Sequence, residues 1–272
     1  MNEYKTLEKN NFKFSKKFGQ NFIFDKNLLK AIIEDSGINE NDEVLEIGPG
    51  AGTLTRVIAE KAKKVVSFEI DKTLEPILKE NLEGLKNSSI VFADALKSDI
   101  KYIESYFSNE YKIVANLPYY ITTPLIFKFI KETKNVKSMC IMVQKEVGQR
   151  LVAKSSDKEY GSISAILDFY ADVKILRQVP RHMFVPSPNV DSCIVQINFI
   201  KNKFCANSDV FEKVVKSAFS NRRKTLANNL SKDFNLSKEQ AINLLVTNGY
   251  KADVRGDSLS TSDFVLISNM MS

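Results

Sequence analysis

Asn116-Leu117-Pro118-Tyr119 is a short device for handling an exocyclic amine. The amide oxygen of Asn116 and the adjacent main-chain carbonyl of Leu117 can each accept a hydrogen from one NH₂ group. Pro118 has no N–H and fixes φ, which stiffens the turn. Tyr119 offers a flat face on which a nucleobase can stack, worth roughly 1–3 kcal/mol per base. The preceding run, Ile113-Val114-Ala115, is also compatible with an ordinary strand ending in an Asn-x-Pro turn, so the stretch needs a companion signal.

That companion lies upstream. Val44-Leu45-Glu46-Ile47 breaks into Gly48-Pro49-Gly50-Ala51-Gly52, and Thr53 to Ala59 then reads as a helix. A strand, a glycine-rich turn and a helix start make the βα corner at which open α/β sheets bind nucleotides. The dinucleotide fingerprint wants a third glycine three residues after Gly50, where this chain has Thr53, and no Gly-Lys-Ser/Thr marks a phosphate-cradling loop. Glu69 closes the next apolar run, Lys64 to Phe68, where a carboxylate can accept from both ribose hydroxyls. Asp94 follows a third run, Ser89 to Ala93, and can meet the amino edge of an adenine. Glycine turn, ribose acid, adenine acid and amine-presenting turn thus fall at the ends of successive strands, which converge on one crevice.

The elements that position these residues follow from alternation. Strands are predicted near 43–47, 64–69, 89–93, 111–116, 138–143, 172–178 and 191–200, with helices near 53–62, 72–83, 99–107, 123–132, 144–153 and 161–170. Such alternation implies a mostly parallel sheet covered by helices. Asp25 reads as the N-cap of an earlier helix ended by Gly37, and residues 1–20 read as a basic arm without periodicity. After Phe199 only helical patterns remain, near 208–219, 223–230, 237–248 and 260–270, with Ser237 and Gln240 spaced as a capping box. The chain therefore divides into an α/β domain over 1–203 and a small all-helical domain over 204–272, whose roughly 70 residues are marginal for an independent core.

Composition narrows the functional classes. Hydrophobic residues at 43% and charged residues at 26% are ordinary for a soluble globule. No apolar run approaches the ~20 residues of a membrane span, and the N-terminus lacks the apolar core of a secretory signal. One histidine, His182, and three dispersed cysteines, Cys140, Cys193 and Cys205, argue against a metal site or a histidine-based hydrolase and fit a reducing cytoplasm. The net charge of +6 is modest, but residues 201–272 carry 11 Lys/Arg against 7 Asp/Glu. Within them, Arg222-Arg223-Lys224 stands at a predicted helix start, where the dipole disfavours cations by roughly 0.3–1 kcal/mol; that placement points to a phosphate partner.

Four motifs together, Lys16-Lys17-Phe18-Gly19-Gln20-Asn21-Phe22, the glycine turn, Asn116-Leu117-Pro118-Tyr119 and Phe219-Ser220-Asn221-Arg222-Arg223-Lys224-Thr225-Leu226, closely resemble the bacterial ribosomal RNA adenine dimethyltransferases that modify two adjacent adenosines of the small subunit. The resemblance covers essentially the whole chain. It implies a class I S-adenosylmethionine-dependent methyltransferase, Rossmann-like, with a seven-stranded sheet and a reversed last hairpin, followed by a helical RNA-binding domain. It also implies a cytoplasmic monomer acting on 16S ribosomal RNA, with S-adenosylmethionine as cofactor. On the matching positions, Asn21 and Ile23 would contact the cofactor from the arm. Gly48 would line its amino-acid part, Glu69 its ribose and Asp94 its adenine, with Asn116 beside the methyl. Ile23 stands where the family often has leucine, a change that a backbone contact survives. Tyr119 and Phe184 would sandwich the target base, Phe184 being expected in a loop because prolines flank it. The large-subunit enzymes of macrolide resistance look alike but usually carry Asn-Ile-Pro-Tyr. Leu117 and Pro180 to Pro188 favour the small-subunit type. A non-catalytic assembly or transcription factor would not need Glu69, Asp94 and Asn116 together. A DNA adenine methyltransferase would bring a large recognition domain.

Overall fold

The computed structural model describes residues 3–15 and 18–272, with the backbone alone at Tyr119. Lys16, Lys17 and the side chain of Tyr119 lie outside the described residues.

The arm carries a helix that the sequence pattern did not announce, α1 (Glu3–Lys9). Its seven residues span under two turns, too few for a periodicity to show. It leads to the short strand β1 (Phe22–Ile23). Asp25 caps α2 (Lys26–Asp35) as expected, accepting from the N–H groups of Asn27 and Leu28, and α2 buries Leu29, Ile32 and Ile33. Gly37, at φ +68°, ends that turn.

The sheet then builds through β2 (Glu43–Ile47), α3 (Thr53–Ala59), β3 (Lys64–Glu69), α4 (Glu75–Asn81), β4 (Ser88–Phe92), α5 (Ile100–Glu104), β5 (Tyr111–Asn116), α6 (Thr122–Glu132), β6 (Val136–Gln144), α7 (Lys145–Val152), α8 (Ser162–Tyr170), β7 (Ala171–Val179), β8 (Phe184–Val185) and β9 (Ser192–Phe199). Its seven strands run in the order β4-β3-β2-β5-β6-β9-β7, with β1 and β8 forming a separate two-stranded ladder. Strands β2 to β6 pair in parallel, and β9 lies antiparallel to β6. Every residue of β2 is buried, Glu43 and Glu46 included, as a parallel strand covered on both faces requires. Cys140 and Cys193 are buried free thiols on β6 and β9, and burial pushes them up to about 12 and about 11.

Register decides where the chemistry collects. Ile47 pairs with Phe68 on one side and Ala115 on the other, and Glu69 pairs with Phe92. Gly48, Glu69 and Asn116 therefore finish neighbouring strands at one level, at the point where the strand order reverses around β2.

The chain divides into two compact units, one of residues 1–148 with 174–199, the other of 149–173 with 200–272. The second holds α8, α9 (Ser208–Ser220), α10 (Leu226–Asp233), α11 (Lys238–Thr247) and α12 (Thr261–Met270). The expected division at 203/204 left out the segment around α8. Its Phe169 ring stacks on Phe211 at 4.1 Å and on Phe204 at 5.7 Å, which supplies apolar area that the last 70 or so residues lack alone. The capping box of Ser237 and Gln240 is formed. No described helix is long and apolar enough to cross a membrane.

Candidate active site

Beside the ends of β2, β3 and β5 opens a cavity of about 440 Å³, lined in part by Asn21, Gly48, Glu69, Asp94, Asn116 and Leu117. The sequence-selected residues described with side chains are thus brought together, apart from Ile23, Phe184 and the basic cluster.

The glycine turn is shaped by steric need. Gly48 sits at φ +74° and its N–H donates to the Phe68 carbonyl (3.0 Å), so the bend leans on β3. A Cβ at Gly48 would face the Asn116 carbonyl oxygen at 3.8 Å. Gly50, at φ +57°, has a second reason to lack a side chain: a Cβ there would come within 2.7 Å of the Phe22 ring. The arm's aromatic residues Phe12, Phe14, Phe22 and Phe24 pack together over this bend, against Leu7, Ala51 and Leu78.

Glu69 is 5% exposed and held on both oxygens: Asp71 N–H donates to Oε1 (2.8 Å) and Gly50 N–H to Oε2 (3.2 Å). Burial raises its pKa, against the lowering by these main-chain donors. Asp94 is more open; its Oδ1 accepts from Leu96 N–H (3.0 Å), and its Oδ2 lies 3.8 Å from the Lys97 ammonium. The amine-presenting turn is tied to the arm. Asn116 Nδ2 donates to the Asn21 carbonyl at 2.8 Å, which commits the amide nitrogen and leaves Oδ1 as the acceptor end. Pro118, at φ −54°, opens a turn closed by Ile121 N–H on its carbonyl (3.1 Å), and a Cβ on Gly19 of the arm would lie 3.2 Å from Pro118 Cβ.

Two expectations change, those for Phe184 and for the basic cluster. Phe184 is not in a loop: it forms β8, pairs with Ile23, and is 3% exposed within the core. The prolines lie just outside its two-residue strand, so here it shows no face to a base. Ile23, whose expected contact is through its backbone alone, is likewise buried. Arg222, Arg223 and Lys224 do not start a helix; they occupy the exposed turn between the end of α9 at Ser220 and the Thr225 cap of α10. The turn lies between the C-terminus of α9, which favours cations, and the N-terminus of α10, which does not, so the two dipoles oppose and the dipole argument for a phosphate partner falls away. Arg222 is also engaged within its own unit, donating to the Tyr160 carbonyl at 2.8 Å.

Glu46 escaped the sequence reading because it sits inside an apolar strand. It is fully buried, and Thr55 and Ser67 hydroxyls both donate to its Oε2 at 2.6 Å, while Oε1 has no hydrogen-bond partner among the described residues. Burial pushes its pKa up to about 7, with the nearby Glu69 charge adding to the rise. A carboxylate in the middle of a strand buried on both faces was the available signal. Ile70, 49% exposed yet lining the cavity next to Glu69, was likewise unflagged.

The sequence model of the ribosomal RNA adenine dimethylase family matches residues 11–271. The chain belongs to that family. Relatives match over nearly the whole length: a protein of Clostridioides difficile (strain 630) named ribosomal RNA small subunit methyltransferase A is 42% identical over 269 residues, 97% of this chain and 93% of its own. A protein of the same name from Clostridium botulinum is 41% identical over 271 residues, 99% and 98% of the two chains. The crystal structure of a dimethyladenosine transferase from Plasmodium falciparum superposes with a TM-score of 0.76 at 27% identity, covering 92% of this chain and 96% of that one. A 23S rRNA methyltransferase shares the fold, with a TM-score of 0.72 at 22% identity over 92% and 98% of the two chains. As a ribosomal RNA adenine dimethylase, the chain is an S-adenosylmethionine-dependent methyltransferase. The residues present fit that cofactor: a cavity of suitable size, side-chain-free glycines at the bend, and two carboxylates spaced along the strand ends for hydroxyl and amine donors.

Proposed function

We propose that this chain adds two methyl groups to the exocyclic amine of each of two adjacent adenosines near the 3′ end of 16S ribosomal RNA, on small subunits forming in the cytoplasm. The small-subunit names of relatives above 40% identity support this choice. So does Leu117, where the large-subunit resistance enzymes usually have isoleucine.

The single observation that carries the chemistry is the bond from Asn116 Nδ2 to the Asn21 carbonyl. With the amide nitrogen held, Oδ1 accepts one hydrogen of the adenine amine and the Leu117 carbonyl accepts the other. Both bonds draw the nitrogen towards a pyramidal shape, freeing a lone pair otherwise delocalised into the ring. S-adenosylmethionine supplies an electrophilic methyl carried on sulfonium. Glu69 holds the ribose, Asp94 the adenine, and Gly48 lets the amino-acid part pass close to the backbone; Asn21 and the Ile23 backbone close the site from the arm. Tyr119 provides the stacking face for a base taken out of its helix. The methylated amine is acidic enough to lose its proton to water, so positioning is the main catalytic contribution, up to roughly 7–11 kcal/mol in favourable cases. Arg222, Arg223 and Lys224 contact RNA phosphates.

The test is incubation with methyl-labelled S-adenosylmethionine and small subunits lacking the modification, followed by digestion and chromatography. Labelled dimethyladenosine in small-subunit RNA is expected. Label confined to large-subunit RNA would transfer the chain to the resistance type, and tight subunit binding without label would make it a non-catalytic factor.

A further inference from the structure

Gln20 has no part in the chemistry described above, yet both ends of its amide are engaged. Its Oε1 accepts from Ser15 N–H at 2.7 Å, and its Nε2 donates to Asp71 Oδ2 at 2.7 Å. Asp71 is 5% exposed, and its other oxygen accepts from the N–H and hydroxyl of Thr73 at 3.0 and 2.6 Å. Its own N–H donates to Glu69 Oε1 at 2.8 Å. A continuous line of hydrogen bonds thus runs from the arm, through Gln20 and Asp71, to Glu69, and from Glu69 Oε2 to the Gly50 bend. The residues flanking Gln20 reach the other half of the cavity: Gly19 lies against Pro118 and Asn21 holds Asn116.

We propose that Gln20 is a positioning residue for cofactor binding: by holding Asp71 it fixes the orientation of the Glu69 carboxylate, and so couples docking of the arm to recognition of the ribose. The inference rests on the reading of Glu69 as the ribose acid. A hydrogen bond to a charged acceptor is directional and stronger than a neutral one, so Gln20 has leverage on Asp71 that packing alone would not supply. If Asp71 moves, the N–H it gives to Glu69 moves with it. The carboxylate then loses one of the main-chain donors that set its plane.

The test is calorimetric titration of the full chain with S-adenosylmethionine and with S-adenosylhomocysteine. Gln20→Ala is expected to weaken both ligands about tenfold, the effect of losing one charge-assisted bond. Gln20→Glu, which sets two carboxylates face to face, is expected to lose more. Combining Gln20→Glu with Asp71→Asn reverses the bond: the introduced amide at 71 donates to the introduced carboxylate at 20, whose second oxygen still accepts from Ser15, while the amide oxygen still serves Thr73. This exchanged pair is expected to recover affinity to within about threefold of the parent, which a generally damaged arm would not do. In a Glu69→Gln background, Gln20→Ala is expected to cost little more. Parent-like affinity in Gln20→Ala, no recovery in the exchanged pair, or an undiminished loss in the Glu69→Gln background would overturn the inference alone, provided Glu69→Gln by itself weakens binding. Unchanged affinity in Glu69→Gln would remove the ribose reading and the inference with it.

Discussion

With its nitrogen held by the Asn21 carbonyl, the Asn116 amide keeps its oxygen for the incoming amine. Asn116→Ala should therefore lower the single-turnover methylation rate by about 10²- to 10³-fold, the usual loss for one oriented polar group acting on the transition state. Calorimetry should show cofactor affinity changing by less than about tenfold, since the residue orients the acceptor base more than it holds the cofactor. Glu46 gives a prediction of another kind. Its folded pKa is raised to about 7 from an ordinary 4.5, chiefly by burial. The native state then holds more protons than the unfolded chain between those values. The contribution to stability is thus full below about pH 4.5 and lost as pH rises through about 7. Glu46→Gln should raise thermal stability at pH 8 by up to about 3 kcal/mol relative to the parent, and much less at pH 5. A stability gain independent of pH, read from melting curves across that range, would contradict the assignment of a buried, reluctant charge.

At the scale of elements, the strand ends were legible because buried parallel strands leave largely apolar, β-branched runs, and the first glycine or polar residue past each run lies at the crevice. Gly48, Glu69, Asp94 and Asn116 were found in that way. The pattern said nothing about what lies over the crevice. Helix α1 is too short for its period to show, and β1 and β8 have two residues each, so Phe184 read as loop when it is core. Glu46 was hidden by the same apolar run that revealed its strand. The arm and the glycine turn are interlocked at Gly50, where any side chain meets Phe22. Gly50→Ala adds a strained φ of +57° to that clash. It should shift the arm off the bend, weaken cofactor binding by about tenfold or more, and hasten tryptic cleavage at Lys5, Lys9 and Lys13. Unaltered cleavage and affinity would show that the arm does not lie on the bend.

At the scale of the molecule, the switch from alternating strands and helices to helices alone announced a second unit near residue 200. The recruitment of α8 was not legible, because its apolar face reads the same whether it covers a sheet or another helix. The basic residues 222–224, expected at a helix start, form a turn between α9 and α10 instead. Since Arg222 also supports the Tyr160 backbone, the informative variant is Arg223→Ala with Lys224→Ala. This pair should reduce the slope of log K against log[salt] for small-subunit binding by roughly 2 while leaving cofactor affinity unchanged. Equal slopes for variant and parent would remove these cations from the RNA interface. The most direct measurement is a crystal structure with S-adenosylhomocysteine and an adenosine-bearing RNA fragment. The account predicts the adenine amine hydrogen-bonded to Asn116 Oδ1 and the Leu117 carbonyl, with its nitrogen facing the sulfur across the gap that a methyl would fill. An amine bound elsewhere, or an Asn116 amide turned away from the Gly48 bend with the cofactor in place, would contradict it.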